Sequence, residues 1–307
     1  MKIAVIGSTM MDVVSYTDKI PEAGETRESK GFHIACGGKG ANQAIAAGKL
    51  GAQVMMVTCV GDDIFGAKAK ANFAEHQVED RLVKVAPGVP NGVATILVDD
   101  SSQNRILICK GANNCLTPAV LEAAEGDLKD CGMFVLQLEV PLETVYAAIK
   151  MAERHRIQVL LNPAPATKDL DIKLACQCDF FVPNETELSI LTGKPAGTLE
   201  EIRQAAKLLL DRGLKNVIVT MGSRGSLWLT KDREELVPSL KVQAVDTTGA
   251  GDSYIGCFVE YYARTGDVLA AMKRASVYAA LGVTKKGTQD SYADKAEFEA
   301  YLAKQKL

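Results

Sequence analysis

The chain has 307 residues, of which 47% are hydrophobic and 24% are charged, close to the averages for soluble globular proteins. This composition excludes a mainly disordered chain, and no apolar run in the sequence is long enough to span a bilayer. The formal net charge is −3 with both signs interspersed, so we expect neither a nucleic-acid partner nor a membrane.

The first residues of the sequence lead us to expect no secretion signal. A strand-like segment at residues 2–7 starts directly after Met1, and Asp12 and Asp18 follow it without the apolar core of a signal peptide. We therefore expect a cytoplasmic protein, in which the 8 cysteines are thiols.

Strand and helix patterns alternate along most of the chain. Short apolar runs bounded by Gly, Pro and Asn predict buried parallel strands at 3–6, 54–60, 133–138, 158–161, 180–182 and 217–220. Between them, Thr117 and Pro118 predict the start of a helix over 119–128, and Thr198 with Glu201 forms a capping box. This rhythm predicts an α/β fold: a doubly wound, mainly parallel sheet flanked by helices.

Two stretches break the α/β rhythm. Residues 12–36 and 91–110 alternate apolar and polar side chains around turns, which predicts antiparallel hairpins. Both stretches are inserted between α/β units. We interpret them as one small antiparallel β sheet standing off a single domain that comprises residues 1–307.

The strongest chemical motif is DTTGAGD at residues 246–252, which precedes a helical stretch at 253–262. Glycines at a helix start let backbone N–H groups turn towards an anion, and the helix dipole adds about half a positive charge there. Asp252 would then lie beside a bound phosphate, where it could accept a hydroxyl proton during phosphoryl transfer. The alternative is a glycine-rich turn whose aspartate only caps the helix, and the motif by itself favours neither.

A second glycine-rich motif, CGGKGANQ, occupies residues 36–43 and also leads into a helix. Lys39 and Asn42 supply hydrogen-bond donors for a polyol. The motif lacks the third glycine of the dinucleotide fingerprint, and the Walker signature is missing from the sequence. The alternative is a tight turn in which Lys39 is a solvated charge.

Three carboxylates follow predicted strands, at the edge where open α/β sheets bind ligands. Asp12 could accept two sugar hydroxyls, and Glu139 has the same placement. Glu187 could orient magnesium-bound water near phosphates. The alternatives are surface-loop carboxylates and, for Glu187, a capping arrangement with Asn184.

The two glycine-rich motifs, at residues 37–42 and 246–252, resemble the two signatures of the ribokinase (PfkB) carbohydrate kinase family. The resemblance covers essentially the whole chain and includes residues 162–166, 182–187, 220–225 and 286–289. Within the family, the chain is most similar to members that act on ribose and 2-deoxyribose. The resemblance implies a ribokinase-like fold and ATP-dependent phosphorylation of the 5-hydroxyl of the pentose, giving the sugar 5-phosphate and ADP.

The resemblance also assigns roles to individual residues. It implies Asp252 as the catalytic base and an anion hole made of Gly249, Ala250 and Gly251. The implied sugar-binding residues are Asp12, Gly38, Lys39, Asn42 and Glu139. The implied ATP-binding residues are Asn184, Thr220, Gly222, Gly225 and Gly251. Glu187 belongs to a magnesium and phosphate motif, and the implied potassium-binding residues are Asp246, Thr248, Gly282, Lys285, Gly287 and Ser291.

The implied cofactors are therefore ATP, Mg²⁺ and K⁺, and the two hairpins would form a lid that pairs with the lid of a second subunit in a homodimer. Met10 and Met11 stand before Asp12, where this family has smaller, more polar residues. An apolar neighbour would tolerate a sugar that lacks the 2-hydroxyl, because no buried donor is left unpaired. The alternatives are a kinase for another sugar or a nucleoside, and a non-catalytic sugar-binding regulator; the incomplete fingerprint argues against a nicotinamide-dependent oxidoreductase.

Overall fold

The computed structural model describes residues 1–101 and 104–305. The strands are β1 (Ile3–Ile6), β2 (Met10–Tyr16), β3 (Gly31–Gly37), β4 (Val54–Gly61), β5 (Glu79–Ala86), β6 (Val93–Val98), β7 (Asn104–Cys109), β8 (Met133–Leu136), β9 (Gln158–Leu161), β10 (Phe180–Phe181), β11 (Asn216–Thr220), β12 (Ser226–Leu229) and β13 (Glu234–Val237). The helices are α1 (Lys39–Lys49), α2 (Ile64–Glu75), α3 (Pro118–Ala123), α4 (Glu125–Leu128), α5 (Leu142–His155), α6 (Ile172–Ala175), α7 (Glu185–Thr192), α8 (Leu199–Leu210), α9 (Ala250–Thr265), α10 (Val268–Gly282) and α11 (Lys295–Gln305).

The main sheet has nine strands in the order β13-β12-β11-β10-β9-β8-β1-β4-β5. Its strands are parallel except at one edge, where β12 runs antiparallel to both β11 and β13. Successive side chains of β1 alternate between two apolar clusters, with Ile3 and Val5 in one and Ala4 and Ile6 in the other. Because both faces are covered by helices, inner strands such as β1, β4 and β8 are buried on both sides, as the continuous apolar runs predict, whereas the edge strands β5 and β13 are partly exposed.

Local sequence signals placed several helix starts correctly. The capping boxes of Asn184 with Glu187 and of Thr198 with Glu201 both form, at α7 and α8. The helix predicted over 119–128 is divided instead into α3 and α4 at Ala124. The break lies two residues before Gly126, and glycine is a weak helix former.

The small sheet has the order β3-β2-β6-β7. Strands β2 and β3 form one antiparallel hairpin, and β6 and β7 form the other, as predicted. The two hairpins are joined by a parallel pairing of β2 with β6, from Met11 opposite Val93 to Tyr16 opposite Val98. Residues 102 and 103 of the predicted segment 91–110 lie outside the described residues.

One buried side chain links the small sheet to the main fold. Asn113, in a short 3₁₀ turn, accepts a hydrogen bond from the N–H of Thr9 and donates to the Thr9 carbonyl, both at 2.9 Å. It also donates to the carbonyl of Lys110 at 2.9 Å. Since Thr9 precedes β2 and Lys110 follows β7, this amide ties together both ends of the small sheet. Within the described residues, the helices include none that is long and apolar enough to cross a membrane.

Candidate active site

The two glycine-rich motifs form the starts of α1 and α9, and these helices pack closely together. A Cβ atom at Gly256, in α9, would lie 2.5 Å from Ala46 Cβ and 2.8 Å from the Gln43 carbonyl oxygen. Only glycine therefore allows this approach. The contact brings residues from the first and last thirds of the chain together at the carboxyl ends of the parallel strands, where such sheets bind ligands.

Asp252 lies in the first turn of α9 and is only 7% exposed. Its Oδ2 accepts a hydrogen bond from Asn42 Nδ2, and its Oδ1 accepts one from Gln43 Nε2, both at 2.9 Å. The N-cap residue of α9 is Gly249, and no side chain caps that helix. The alternative in which Asp252 only caps the helix is therefore wrong.

Two further carboxylates face the start of α1. Glu139 Oε2 accepts hydrogen bonds from Ser8 Oγ at 2.5 Å and from the N–H of Lys39 at 2.9 Å. Asp12 is on β2, with its carboxylate against Gly37. Burial raises the pKa of Asp12 to about 6, and the charges of Glu139 and Asp252 add to this effect. Carboxylate oxygens accept hydrogen bonds from hydroxyl groups, and the binding of sugar hydroxyls by Asp12 and Glu139 stays a prediction.

Lys39 is half-buried and lies near three carboxylates. Burial opposes its charge, but Asp252, Glu139 and Glu187 outweigh that effect and raise the pKa of Lys39. Lys39 is therefore not a fully solvated charge, and its role in binding the sugar stays a prediction. Burial also raises the pKa of Glu187, with Asp252 adding to it, while the Asn184 N–H and Lys39 oppose the rise.

The excess of carboxylates over lysines favours a cationic ligand in the cleft. The described residues include no cluster of three or more His, Cys, Asp or Glu side chains that could enclose a metal ion. Mg²⁺ commonly binds through one or two carboxylates, several waters and substrate phosphates, so a single contributor such as Glu187 fits this ion.

The start of α9 provides an anion-binding geometry. Gly249 has a φ of +72°, and a Cβ there would clash with Thr288 and with Tyr292, whose hydroxyl donates to the Gly249 carbonyl at 3.0 Å. The N–H of Ala250 bonds to a carbonyl of the preceding turn. Helix geometry leaves the next N–H groups without an intrahelical partner, and a Cβ at Gly251 would meet nothing within 4 Å. The helix start is open to a ligand such as phosphate.

A cavity of about 470 Å³ adjoins this helix start. Four of the predicted ATP-binding residues line it: Thr220, Gly222, Gly225 and Gly251. Its far wall is formed by small and apolar residues of α10 and the following turn, including Ala279, Ala280 and Val283. The volume is within the range of small-molecule sites. Asn184, the fifth predicted residue, pairs its backbone with Thr220, and its side chain caps α7.

The residues predicted to bind potassium lie in two segments that meet at Asp246. Its Oδ1 accepts the N–H of Thr248 at 2.9 Å, and its Oδ2 accepts the N–H of Gly287 at 3.0 Å. The Gly282 carbonyl accepts the N–H of Lys285 at 3.0 Å. Ser291, the sixth residue of this set, donates through Oγ to the Thr288 carbonyl at 2.7 Å. The use of these carbonyls as potassium ligands stays a prediction.

The sequence analysis missed three residues that shape the site: Ser8, Gln43 and Tyr292. Gln43 directly follows Asn42 at a glycine-rich helix start, and that adjacency was the only local signal. Ser8 and Tyr292 act on residues more than 30 positions away, so no pattern of neighbouring residues could have identified them.

Comparisons with known proteins identify the family of the chain. The model of the pfkB family of carbohydrate kinases matches residues 1–296. A deoxyribokinase of Salmonella typhi is 55% identical over 303 residues, which cover 99% of each chain. A ribokinase of Bacillus subtilis is 38% identical over 303 residues, covering 98% of this chain and 99% of the relative. The structure of an Arabidopsis thaliana ribokinase complexed with ribose and ATP has a TM-score of 0.91 at 29% identity, with 98% of both chains covered. The resemblance predicted from the two motifs is confirmed: the chain belongs to the pfkB family of carbohydrate kinases.

Proposed function

We propose that this protein transfers the γ-phosphoryl group of ATP to the 5-hydroxyl of a pentose, 2-deoxy-D-ribose or D-ribose, giving the sugar 5-phosphate and ADP. The observation that carries the proposal is the position of Asp252. Its carboxylate is in the first turn of α9, where Ala250 and Gly251 line the 470 Å³ cavity, and it is near enough for its charge to act on Asp12 and Lys39. The proposal is supported by the 55% identity to a deoxyribokinase and 38% identity to a ribokinase.

The chemistry follows from these positions. Asp12 and Glu139 accept hydrogen bonds from sugar hydroxyls and thereby orient the pentose. As the 5-hydroxyl oxygen forms its bond to the γ-phosphorus, Asp252 accepts the hydroxyl proton, and the bond to the bridging oxygen breaks to release ADP. The open N–H groups of the predicted anion hole at the α9 start, beginning with that of Gly251, stabilise the charge on the transferring group. When bound, Mg²⁺ neutralises charge on the β- and γ-phosphates, and Glu187 would hold its water ligands.

Between the two pentoses, the residues beside Asp12 favour 2-deoxyribose. Met10 and Asp12 are two positions apart on β2, so their side chains lie on the same face of the strand. Met10 is only 2% exposed and offers no polar group. A sugar without a 2-hydroxyl leaves no buried donor unpaired there. In Met10→Asn, the ratio of kcat/KM for ribose to that for 2-deoxyribose should rise, and an unchanged ratio would refute this role of Met10.

The activity is tested by ADP release with ATP, Mg²⁺ and each pentose. Asp252→Ala should lower kcat by about 10²–10⁴-fold, the usual contribution of a positioned proton acceptor, while sugar binding is retained. Asp211→Ala, at the exposed end of α8, is the control and should leave kcat unchanged. Near-normal turnover in Asp252→Ala would remove the assigned role. If neither pentose released ADP in the wild type, the remaining candidates would be a kinase for another sugar or nucleoside and a sugar-binding regulator.

We also propose monovalent-cation activation by the segments that meet at Asp246. Its carboxylate bridges the backbone of Thr248 to that of Gly287, which would hold the carbonyls in place for K⁺. Potassium should therefore raise kcat in the wild type and not in Asp246→Ala. Equal rates with and without potassium in the wild type would refute the proposal.

We further propose that the small sheet covers the sugar and pairs with a second copy of the chain. Phe32 and Leu107 are 71% and 77% exposed, an unusual exposure for side chains of this size in a sheet. A homodimer through this sheet would bury them. Light scattering should give the mass of a dimer for the wild type and a monomer for Leu107→Lys. Leu236→Lys, at an exposed leucine of the main sheet, is the control that should remain dimeric.

A further inference from the structure

Asp252 is held by a network of buried amide side chains. Each of its carboxylate oxygens accepts one amide N–H at 2.9 Å, from Asn42 on Oδ2 and from Gln43 on Oδ1. An ionised carboxylate only accepts hydrogen bonds, so each amide must present its nitrogen to it. Because Asn42 and Gln43 are consecutive in α1, a single helical turn fixes both oxygens.

Gln43 is fixed in turn from its other side. Its Oε1 accepts a hydrogen bond from Gln137 Nε2 at 2.7 Å, and its Nε2 also contacts Asn162 Oδ1 at 3.2 Å. Asn162 Nδ2 donates to the Val182 carbonyl at 2.8 Å. Gln137, Asn162 and Val182 directly follow β8, β9 and β10. Gln43 therefore connects Asp252 to the ends of three adjacent strands.

Gln43 is not placed to touch a substrate. It is 0% exposed, whereas Asn42 is 6% exposed and was predicted to bind the sugar. A substitution of Asn42 would therefore affect both sugar binding and the position of Asp252, and the two effects could not be separated. Any effect of Gln43 on the reaction must pass through the groups it contacts, of which Asp252 is the reacting one.

We propose that Gln43 is a positioning residue for phosphoryl transfer. It holds Oδ1 of Asp252, so that the remaining lone pairs of the carboxylate point to the attacking hydroxyl. The inference rests on the proposed function, because it requires Asp252 to accept the hydroxyl proton. Charge-assisted hydrogen bonds are well suited to this task, since they are short and directional.

The test replaces the amide with an apolar side chain of similar length, in Gln43→Met. We expect kcat to fall by about 10–100-fold, because a displacement of about 1 Å in a catalytic group has effects of this size. The sugar Kd from calorimetry and the KM for ATP should change by less than about threefold, since binding groups are untouched. Gln158→Met is the control: this glutamine bonds to Tyr262 at the opposite end of β9 and should leave kcat unchanged.

The same change in an Asp252→Ala background separates positioning from general damage to the fold. With no carboxylate left to position, Gln43→Met should not lower the residual turnover further, whereas a structural role would lower it in both backgrounds. A folded Gln43→Met with wild-type kcat would overturn the inference and leave the proposed function intact. Full turnover in Asp252→Ala would overturn the proposed function, and the inference with it.

A second variant covers the case in which Gln43→Met does not fold. Gln137→Met removes only the donor that holds Gln43 Oε1. We expect a smaller fall in kcat, by about threefold to tenfold, with an unchanged sugar Kd, because Asp252 keeps both of its own amide donors. An unchanged kcat in this variant would overturn the inference.

Discussion

The starts of α1 and α9 have similar glycine-rich sequences but use their backbone N–H groups differently. In α1, the N–H groups of Lys39 and Gly40 bond to Glu139 Oε2 and Ser8 Oγ, and the next one bonds to the Ser8 carbonyl. In α9, one N–H bonds within the turn, and the following ones are open beside the cavity. A glycine at a helix start therefore indicates that another group comes close to the helix backbone. If the N–H groups there already bond to protein atoms, that group is part of the fold; if they are open, they can bind an anion.

The glycines of the two helices show the same contrast. A Cβ at Gly40 would lie 2.7–2.8 Å from backbone atoms of Gly7 and Ser8. A Cβ at Gly251 would meet nothing within 4 Å. The fold therefore requires glycine at the first position. At the second it does not, and the proposed phosphate site gives a reason for glycine there.

The largest expected difference between the two helix starts is in how much a glycine-to-alanine substitution lowers the stability of the protein. Gly40→Ala should lower the free energy of unfolding by about 3 kcal/mol, because its methyl group meets backbone that cannot move aside. Gly126→Ala, at a helical glycine with open space around it, is the control and should be neutral or slightly stabilising. Denaturant unfolding measures both. Equal stability of Gly40→Ala and the wild type would show that the fold does not require glycine at this position.

The next expected effect is a pH dependence of the sugar Kd, which arises from Asp12 near the start of α1 and not from the start of α9. Asp12 must be ionised to accept sugar hydroxyls, and its pKa is about 6. The sugar Kd, measured by calorimetry without ATP, should be constant above pH 7 and rise by about tenfold per pH unit well below pH 6. In Asp12→Asn, binding should be weak and independent of pH. A wild-type Kd that is flat from pH 5 to 8 would contradict the prediction.

The same shift predicts the direction of a stability change. The folded state binds a proton on Asp12 more readily than the unfolded chain, because its pKa is raised from 3.8 to about 6. The resulting stability is present below pH 3.8 and is lost as the pH rises through 6. Asp12→Asn should therefore unfold at a higher temperature than the wild type at pH 7.5, with the difference disappearing at pH 4. A lower unfolding temperature at pH 7.5 would contradict this.

The smallest expected effect is at the α9 start. Gly251→Ala should leave stability within about 0.5 kcal/mol of the wild type, since a Cβ has room there. It should lower kcat/KM for ATP by roughly tenfold, because the methyl group lies where phosphate must approach the backbone. The sugar Kd should not change. If kcat/KM for ATP were unaffected, the α9 start would not be the phosphate site.

The sequence predicted those parts of the fold whose causes are local. The buried strands and the capping boxes at α7 and α8 depend on residues within a few positions of one another. The two hairpins were expected to form one sheet, but the parallel pairing of β2 with β6 that joins them could not be predicted, because the paired strands are about 80 residues apart.

The site was predictable to a similar extent. Asp252 and Lys39 stand in motifs, and the structure brings both into one cleft. The distinction between the two helix starts was not predictable, because it depends on Ser8 and Glu139, which reach α1 from 32 and 100 positions away in the sequence. Likewise, the raised pKa of Asp12 arises from burial and from two carboxylates on other segments.

The parallel pairing within the small sheet has a consequence for motion. Six residue pairs connect β2 to β6, so the two hairpins are one body and not two separate flaps. If the small sheet covers the sugar as proposed, its two hairpins therefore move together. Ordering one sheet fixes fewer independent degrees of freedom than ordering two separate hairpins, so a ligand that orders one hairpin orders the other with it.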